Sequence, residues 1–410
     1  MLDTKLKPTT KATKLSMFLL AFSPISFYYA IGESPFNYFH LSGLIVFLLS
    51  FLNGRLNVTL PKTYIFYWIW CALQIYFIVG VHGWTDYLPG GVFLCMFGIS
   101  LLGYVAMFNF DYLYKYMKWI FIVASILYLI QFFYHLGTGT RLSFFLPLGY
   151  KTTYSGLSYS ELIAIHEAGY GEILERFPSI FAEPSYFGQY LVLFLGIELF
   201  KGGNKSLLYT KFSLYIILML VLLRSGAGFI GLLVLGTVKC IYIAVTTNNK
   251  KYYFYVVASI IIAILLTYTL IASDFGSYLS IRASELDANS DDSSIRLFFG
   301  WNQLGLWDWK NIILGGGRNI AANYTENEWG SHQFINTAVV VIMYQGVIGA
   351  VLLLLSYVRN CRKNGILPIV LSIALLVFSF IENFLYGGIM TIVTSIVFYI
   401  SYYNKHSNYS

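Results

Sequence analysis

Arg176-Phe-Pro-Ser-Ile-Phe-Ala-Glu183-Pro-Ser-Tyr-Phe-Gly188 runs directly into an apolar stretch that reaches Phe200. Proline suits the first turn of a helix, because its φ is fixed near the helical value and no helix start can use its missing N–H. Pro184 therefore predicts a helix with Glu183 at or near the N-cap. Arg176 lies on the preceding segment, which Pro178 stiffens. Charged side chains held at the mouth of an apolar helix are costly beside hydrocarbon, and where they persist they usually carry function. The rest of the chain reads as scaffold for that mouth, or as the second half of one site.

The 410 residues are 58% hydrophobic, 19% aromatic and only 11% charged, with mean hydropathy +0.67. Soluble domains carry about a quarter charged residues, so the composition excludes that class. It predicts an all-α polytopic membrane protein forming a single integral domain over 1–410. Apolar windows of about 17–25 residues mark about twelve transmembrane helices: 15–32, 39–54, 63–81, 90–108, 117–135, 185–200, 206–223, 226–246, 252–272, 335–357, 366–382 and 385–402. Thirty-five Tyr and 34 Phe suit aromatic belts at the two interfaces. The first apolar run lacks a small-residue cleavage pattern, so no cleaved signal is expected.

With the Lys-rich N-terminus inside, inside segments hold 18 of the 26 Lys and Arg, and outside segments hold 16 of the 19 acids. Shifting the phase by one span inverts this bias, so both termini are expected in the cytoplasm. The net charge of +7 is largely that bias and calls for no nucleic-acid partner. Cys71, Cys95, Cys240 and Cys361 lie in spans or an inside loop, and no disulfide is expected.

Two long outside loops follow from this map, 136–184 and 273–334. The first carries Ser158-Tyr-Ser-Glu161, a capping-box pattern opening a short amphipathic helix. The second holds 8 acids and 4 basic residues, and an amphipathic segment containing Arg296 with Trp307 and Trp309 as interface anchors. Leu314-Gly-Gly-Gly-Arg318 then offers backbone N–H groups that can converge on phosphate oxygens. His332 falls where the tenth span begins. Between spans seven and eight, Leu223-Arg224-Ser-Gly-Ala-Gly228 puts an Arg outside with almost no loop. Arg224 reads either as a snorkelling interfacial residue or as an anion ligand at a helix start. Gln345-Gly-Val-Ile-Gly349 supplies small residues for close helix packing.

The spans carry almost no ionisable residues, which argues against an ion-coupled transporter. Arg176, Arg224, Arg296 and Arg318, with Glu183 and His332, all fall on the outside face near span ends. Arginine binds two phosphate oxygens at once through its planar fork, so the cluster suggests an anionic headgroup arriving from the lipid side. No Asp-x-Asp, Walker or His-Glu-x-x-His pattern is present, and no metal site is indicated.

These stretches, with Ser294-Ile-Arg296, resemble the Wzy-type O-antigen and capsular polysaccharide polymerases, within the O-antigen polymerase/ligase superfamily. The likeness covers about residues 137–360; the acidic run Ser284–Asp292 matches none of its motifs. The resemblance implies a glycosyltransferase C-like helical fold in the bacterial inner membrane, with two large periplasmic loops and a periplasm-facing site. It also implies polysaccharide biosynthesis without nucleotide, metal or cofactor. Glycan passes from undecaprenyl pyrophosphate to the non-reducing end of another lipid-linked repeat unit, with a chain-length regulator as a candidate protein partner. In that scheme Arg176, Arg224 and Arg296 bind the leaving pyrophosphate, and Arg318 assists or positions the acceptor. Glu183 or His332 takes the acceptor proton, unless Glu183 only orients Arg176. The alternatives are an O-antigen ligase, whose acceptor is lipid A core, and a lipid-linked oligosaccharide flippase or other transporter.

Alkaline phosphatase fused after Ser160 or Ser290 should be active in a bacterial host, and a fusion at the C-terminus inactive. Inactive enzyme at either loop position would reverse the orientation.

Overall fold

The structure is a computed structural model that describes residues 10–29, 31, 36–56, 60–82, 84–144, 177–181, 183–201, 211–247, 300–305, 307–316, 336–362 and 364–407. It is helical, with no strand among the described residues. The helices are α1 (Lys11–Ser26), α2 (Tyr38–Leu52), α3 (Lys62–His82), α4 (Trp84–Ala106), α5 (Phe110–Thr138), α6 (Pro184–Phe200), α7 (Lys211–Leu223) and α8 (Gly226–Thr247). They continue with α9 (Gly300–Gly305), α10 (Trp309–Leu314), α11 (Thr337–Cys361), α12 (Ile366–Ser379) and α13 (Gly388–Ser407). Each expected apolar segment coincides with a helix except 252–272, which lies outside the described residues.

Among the described residues three helices, α5, α8 and α11, are long and apolar enough to cross a membrane. Shorter apolar helices are α2, α7, α12 and the second half of α4. Phe51, Leu52, Phe133, Leu136 and Val245 are each more than 60% exposed, a surface that favours association with hydrocarbon over water. Helix α6 is the opposite case, with every residue from Ser185 to Phe200 buried. A helix apolar all round belongs inside its bundle.

The chain forms two compact units within what composition reads as one integral domain. One comprises 121–146 and 159–294; the other comprises 2–120, 147–158 and 295–410. In the first, α6 packs on α7 and α8. Phe121 of α5 meets Phe194 of α6 and Phe212 of α7 at 5.7 and 5.3 Å between ring centroids. Helices α6 and α8 run parallel. A Cβ on Gly188 would stand 2.9 Å from Ser225 Oγ and 3.4 Å from Gly228 Cα, and one on Gly231 would meet Val192 at 2.6 Å. At the far end Lys239 of α8 donates from Nζ to the Leu199 carbonyl at 2.7 Å, and lies 4.8 Å from the Phe200 ring centroid. The charge thus satisfies an open carbonyl of the α6 C-terminus, supported by a Lys201–Glu198 ion pair at 2.8 Å.

In the second unit α11 is broken. Gly346 has φ 71° and ψ 173° within an otherwise helical run. A break at membrane depth leaves carbonyls that water cannot reach, so the protein must supply donors. Gly316 N–H donates to the Met343 carbonyl at 2.8 Å, and Trp70 Nε1 to that of Gln345 at 2.8 Å. The Gln345 side chain joins the Tyr67 and Tyr386 hydroxyls, which lie 2.7 Å apart, and Gln74 Nε2 donates to the Leu314 carbonyl. Gly315 lies against the break with φ 86°, and a Cβ on it would stand 2.6 Å from Gly346 N. Both glycines need a left-handed backbone, and neither leaves room for a side chain. The first two glycines of the Leu314–Arg318 stretch are therefore engaged in seating α10 on α11. Within Gln345–Gly349, Gly349 gives the expected close packing, since a Cβ on it would stand 3.2 Å from the Trp70 ring, whereas Gly346 makes the break.

Gly346→Ala should lower unfolding stability in detergent by about 2 kcal/mol or more, from strain plus overlap with the Ile313 carbonyl. Gly137→Ala, in open space on α5, should stay within about 1 kcal/mol of wild type. Equal melting of the two variants would discard the packing role of Gly346.

Candidate functional site

The segment leading to α6 is tied down by one buried amide. Gln131 of α5 accepts from Ser179 N–H at 2.9 Å through Oε1, and donates from Nε2 to the Leu142 carbonyl at 2.9 Å. Ser179 is fully buried in the left-handed region, at φ 59°, and its hydroxyl donates to the Ala124 carbonyl at 2.7 Å. Phe177 and Phe181 flank this turn as buried anchors. Phe177 meets Tyr128 at 6.2 Å, and Phe181 stacks on Phe187 at 5.0 Å between centroids.

Glu183 is the N-cap residue of α6 and Pro184 its first helical residue, as Pro184 predicts. Its carboxylate makes no capping hydrogen bond to the helix backbone. Among the described residues it accepts from Ser185 Oγ, at 3.1 Å, and Glu183 is half-buried at the helix mouth.

Arg224 forms the junction of α7 and α8. Tyr128 of α5 donates its hydroxyl to the Leu222 carbonyl at 2.6 Å, closing the end of α7. Arg224 then turns the chain at φ 52°, and Ser225 opens α8 with its Oγ 3.4 Å from Gly228 N. An L-residue pays roughly 1–2 kcal/mol for the left-handed region, where Gly is the ordinary choice. The half-buried guanidinium is within electrostatic range of the Tyr128 hydroxyl. Keeping Arg where Gly fits better argues that the charge is needed there.

Because α6 and α8 are parallel and cross at Gly188 and Gly228, their first turns lie at the same end of the unit. Glu183 is five residues before Gly188, and Arg224 one residue before Ser225. Neither charge is ion-paired among the described residues. The crossing thus brings an acidic and a basic group to one mouth. Of the other expected site residues, Arg176, Arg296, Arg318 and His332 lie outside the described residues.

Several contributing residues carry no signal in the sequence. Ser179 and Gln131 hold the segment after Arg176. Gln189, in the second turn of α6, is fully buried with no hydrogen-bond partner for either amide atom. An unsatisfied buried amide is rare enough to need an explanation, such as a ligand or water. In the second unit, the turn at Glu382 is pinned to the start of α11. Thr337 N–H and hydroxyl donate to the Glu382 carbonyl at 2.9 and 2.8 Å, and the hydroxyl accepts from Phe384 N–H at 2.8 Å. The Glu382 side chain is buried.

Comparison of the chain with protein-family models, curated proteins and solved structures finds no match.

Arg224→Gly should melt at the same temperature as wild type or higher, because it relieves the left-handed strain, whereas Arg224→Val should melt lower. A lower melting temperature for Arg224→Gly would make the guanidinium a structural group.

Proposed function

We propose that this protein is a polysaccharide polymerase of the bacterial inner membrane. It transfers glycan from undecaprenyl pyrophosphate to a lipid-linked repeat unit through a twelve-span, glycosyltransferase C-like fold open to the periplasm. The observation that carries the reading is the shared mouth of α6 and α8, with Glu183 unused as a cap and Arg224 held at an unfavourable backbone angle. A helix start with an arginine beside it favours a phosphate group, and a half-buried carboxylate nearby can accept a proton.

In the reaction the acceptor hydroxyl oxygen bonds to the anomeric carbon of the donor sugar as the bond to the pyrophosphate oxygen breaks. Glu183 or His332 takes the hydroxyl proton. Undecaprenyl pyrophosphate leaves with the electron pair, and Arg224, with Arg176 and Arg296, stabilises the charge developing on it. Arg318 assists or positions the acceptor. An O-antigen ligase would use the same donor chemistry with lipid A core as acceptor. A transporter is the second reading, favoured by one feature: α11 is discontinuous beside buried Tyr67, Gln345 and Tyr386, as substrate-binding helices of transporters often are.

Purified protein given lipid pyrophosphate-linked repeat units and a chelator, without nucleotide, should build a glycan ladder. Arg224→Gly and Glu183→Gln should lower the rate by about 10²-fold or more, the usual loss for a group acting on transition-state charge or as a general base. Movement of the lipid-linked glycan across vesicles without a ladder would replace the polymerase with the transporter. Ladder growth only on lipid A core would make it a ligase.

A further inference from the structure

Within the second unit, α11 and α12 enclose a groove of about 560 Å³. Ala350, Leu354 and Val358 line it at helical spacing on α11, with Ile369, Ile373 and Leu376 on α12. Its lining residues run from Thr337, at the start of α11, to Arg362, at its C-cap. Its hydroxyls are already engaged. Ser379 donates to the Leu376 carbonyl at 2.6 Å, Ser372 pairs with Cys361 at 3.1 Å, and Thr337 is bonded to the Glu382 turn. A wall built mostly of aliphatic side chains, with these hydroxyl groups already bonded, suits a hydrocarbon chain.

The two ends of the groove differ in charge. Arg362 lines one end as the C-cap of α11, where the helix dipole favours a cation, and Arg359 stands one turn earlier. Both are exposed and without an acidic partner among the described residues. At the other end Thr337 is bonded to the backbone carbonyl of Glu382, and no basic residue lines the groove there among the described residues. An anionic headgroup is attracted to the Arg362 end.

We propose that this groove binds one anionic phospholipid, its acyl chain between α11 and α12 and its phosphate against Arg362. The charge bias of the sequence assigns that end to the inner leaflet. The site is independent of the reaction proposed at α6 and α8.

Native mass spectrometry of the purified protein with phosphatidylglycerol, or with phosphatidylethanolamine of the same chains, tests the assignment. Wild type should retain phosphatidylglycerol over phosphatidylethanolamine by about fivefold, which one basic residue contributes at an anionic lipid surface. Arg362→Ala should bring the two lipids to parity, and Arg362→Lys should keep most of the preference. Ala350→Trp or Ile373→Phe, each checked for an unchanged elution profile, should fill the groove and lose both lipids. Equal retention of the two lipids by wild type would overturn the proposal. So would phosphatidylglycerol held undiminished in the groove-filling variants, or displaced by an equal concentration of a polyprenyl phosphate.

Discussion

Backbone carbonyls left open where helices end or break in an apolar layer must be met from within the protein, and the arrangement of this chain follows from that demand. Tyr128 of α5 takes the carbonyl of Leu222, and Lys239 of α8 that of Leu199. Gly316 and Trp70 take the carbonyls of Met343 and Gln345 beside the break at Gly346, and Gln74 takes that of Leu314. Each donor comes from a different helix or loop than its acceptor, so each bond also fixes how two elements meet. Losing such a donor leaves an unpaired group in hydrocarbon, a far larger cost than the net worth of one hydrogen bond in water.

The site proposed for catalysis depends on the same bonds. Tyr128 ends α7 where Arg224 must turn, and Gln131, one turn further along α5, holds the segment that reaches Glu183. The small residues Gly188, Ser225 and Gly228 then let α6 and α8 approach closely and in parallel, placing both helix starts at one end. The resulting mouth has positive helix termini, an arginine and a carboxylate. That set suits a reaction in which an anion leaves and a proton is taken up.

The helical, membrane-associated character was legible in the sequence, and so were two local features, the start of α6 and the junction at Arg224. The Glu183-Pro184 helix start was readable because proline fixes φ locally. The isolation of Arg224 was visible because two apolar runs meet with two residues between them. What lay hidden were contacts between residues distant in sequence. Ser179 with Gln131, Trp70 with Gln345, and Gly315 with Gly346 have no local signature, since each looks ordinary until its partner is placed. Lys239 belongs here too: its task is set by a carbonyl forty residues away.

By itself the sequence determined the helical, membrane-associated character and the apolar segments, because hydropathy is a sum over composition. Tertiary structure alone decided that Ser185 to Phe200 of α6 are buried, that α11 breaks at Gly346, and that α6 and α8 start at the same end of their unit. These depend on which helix faces which. In a chain apolar nearly all round, hydrophobicity does not choose between faces. Small residues and the few polar groups do, and they act only across a contact.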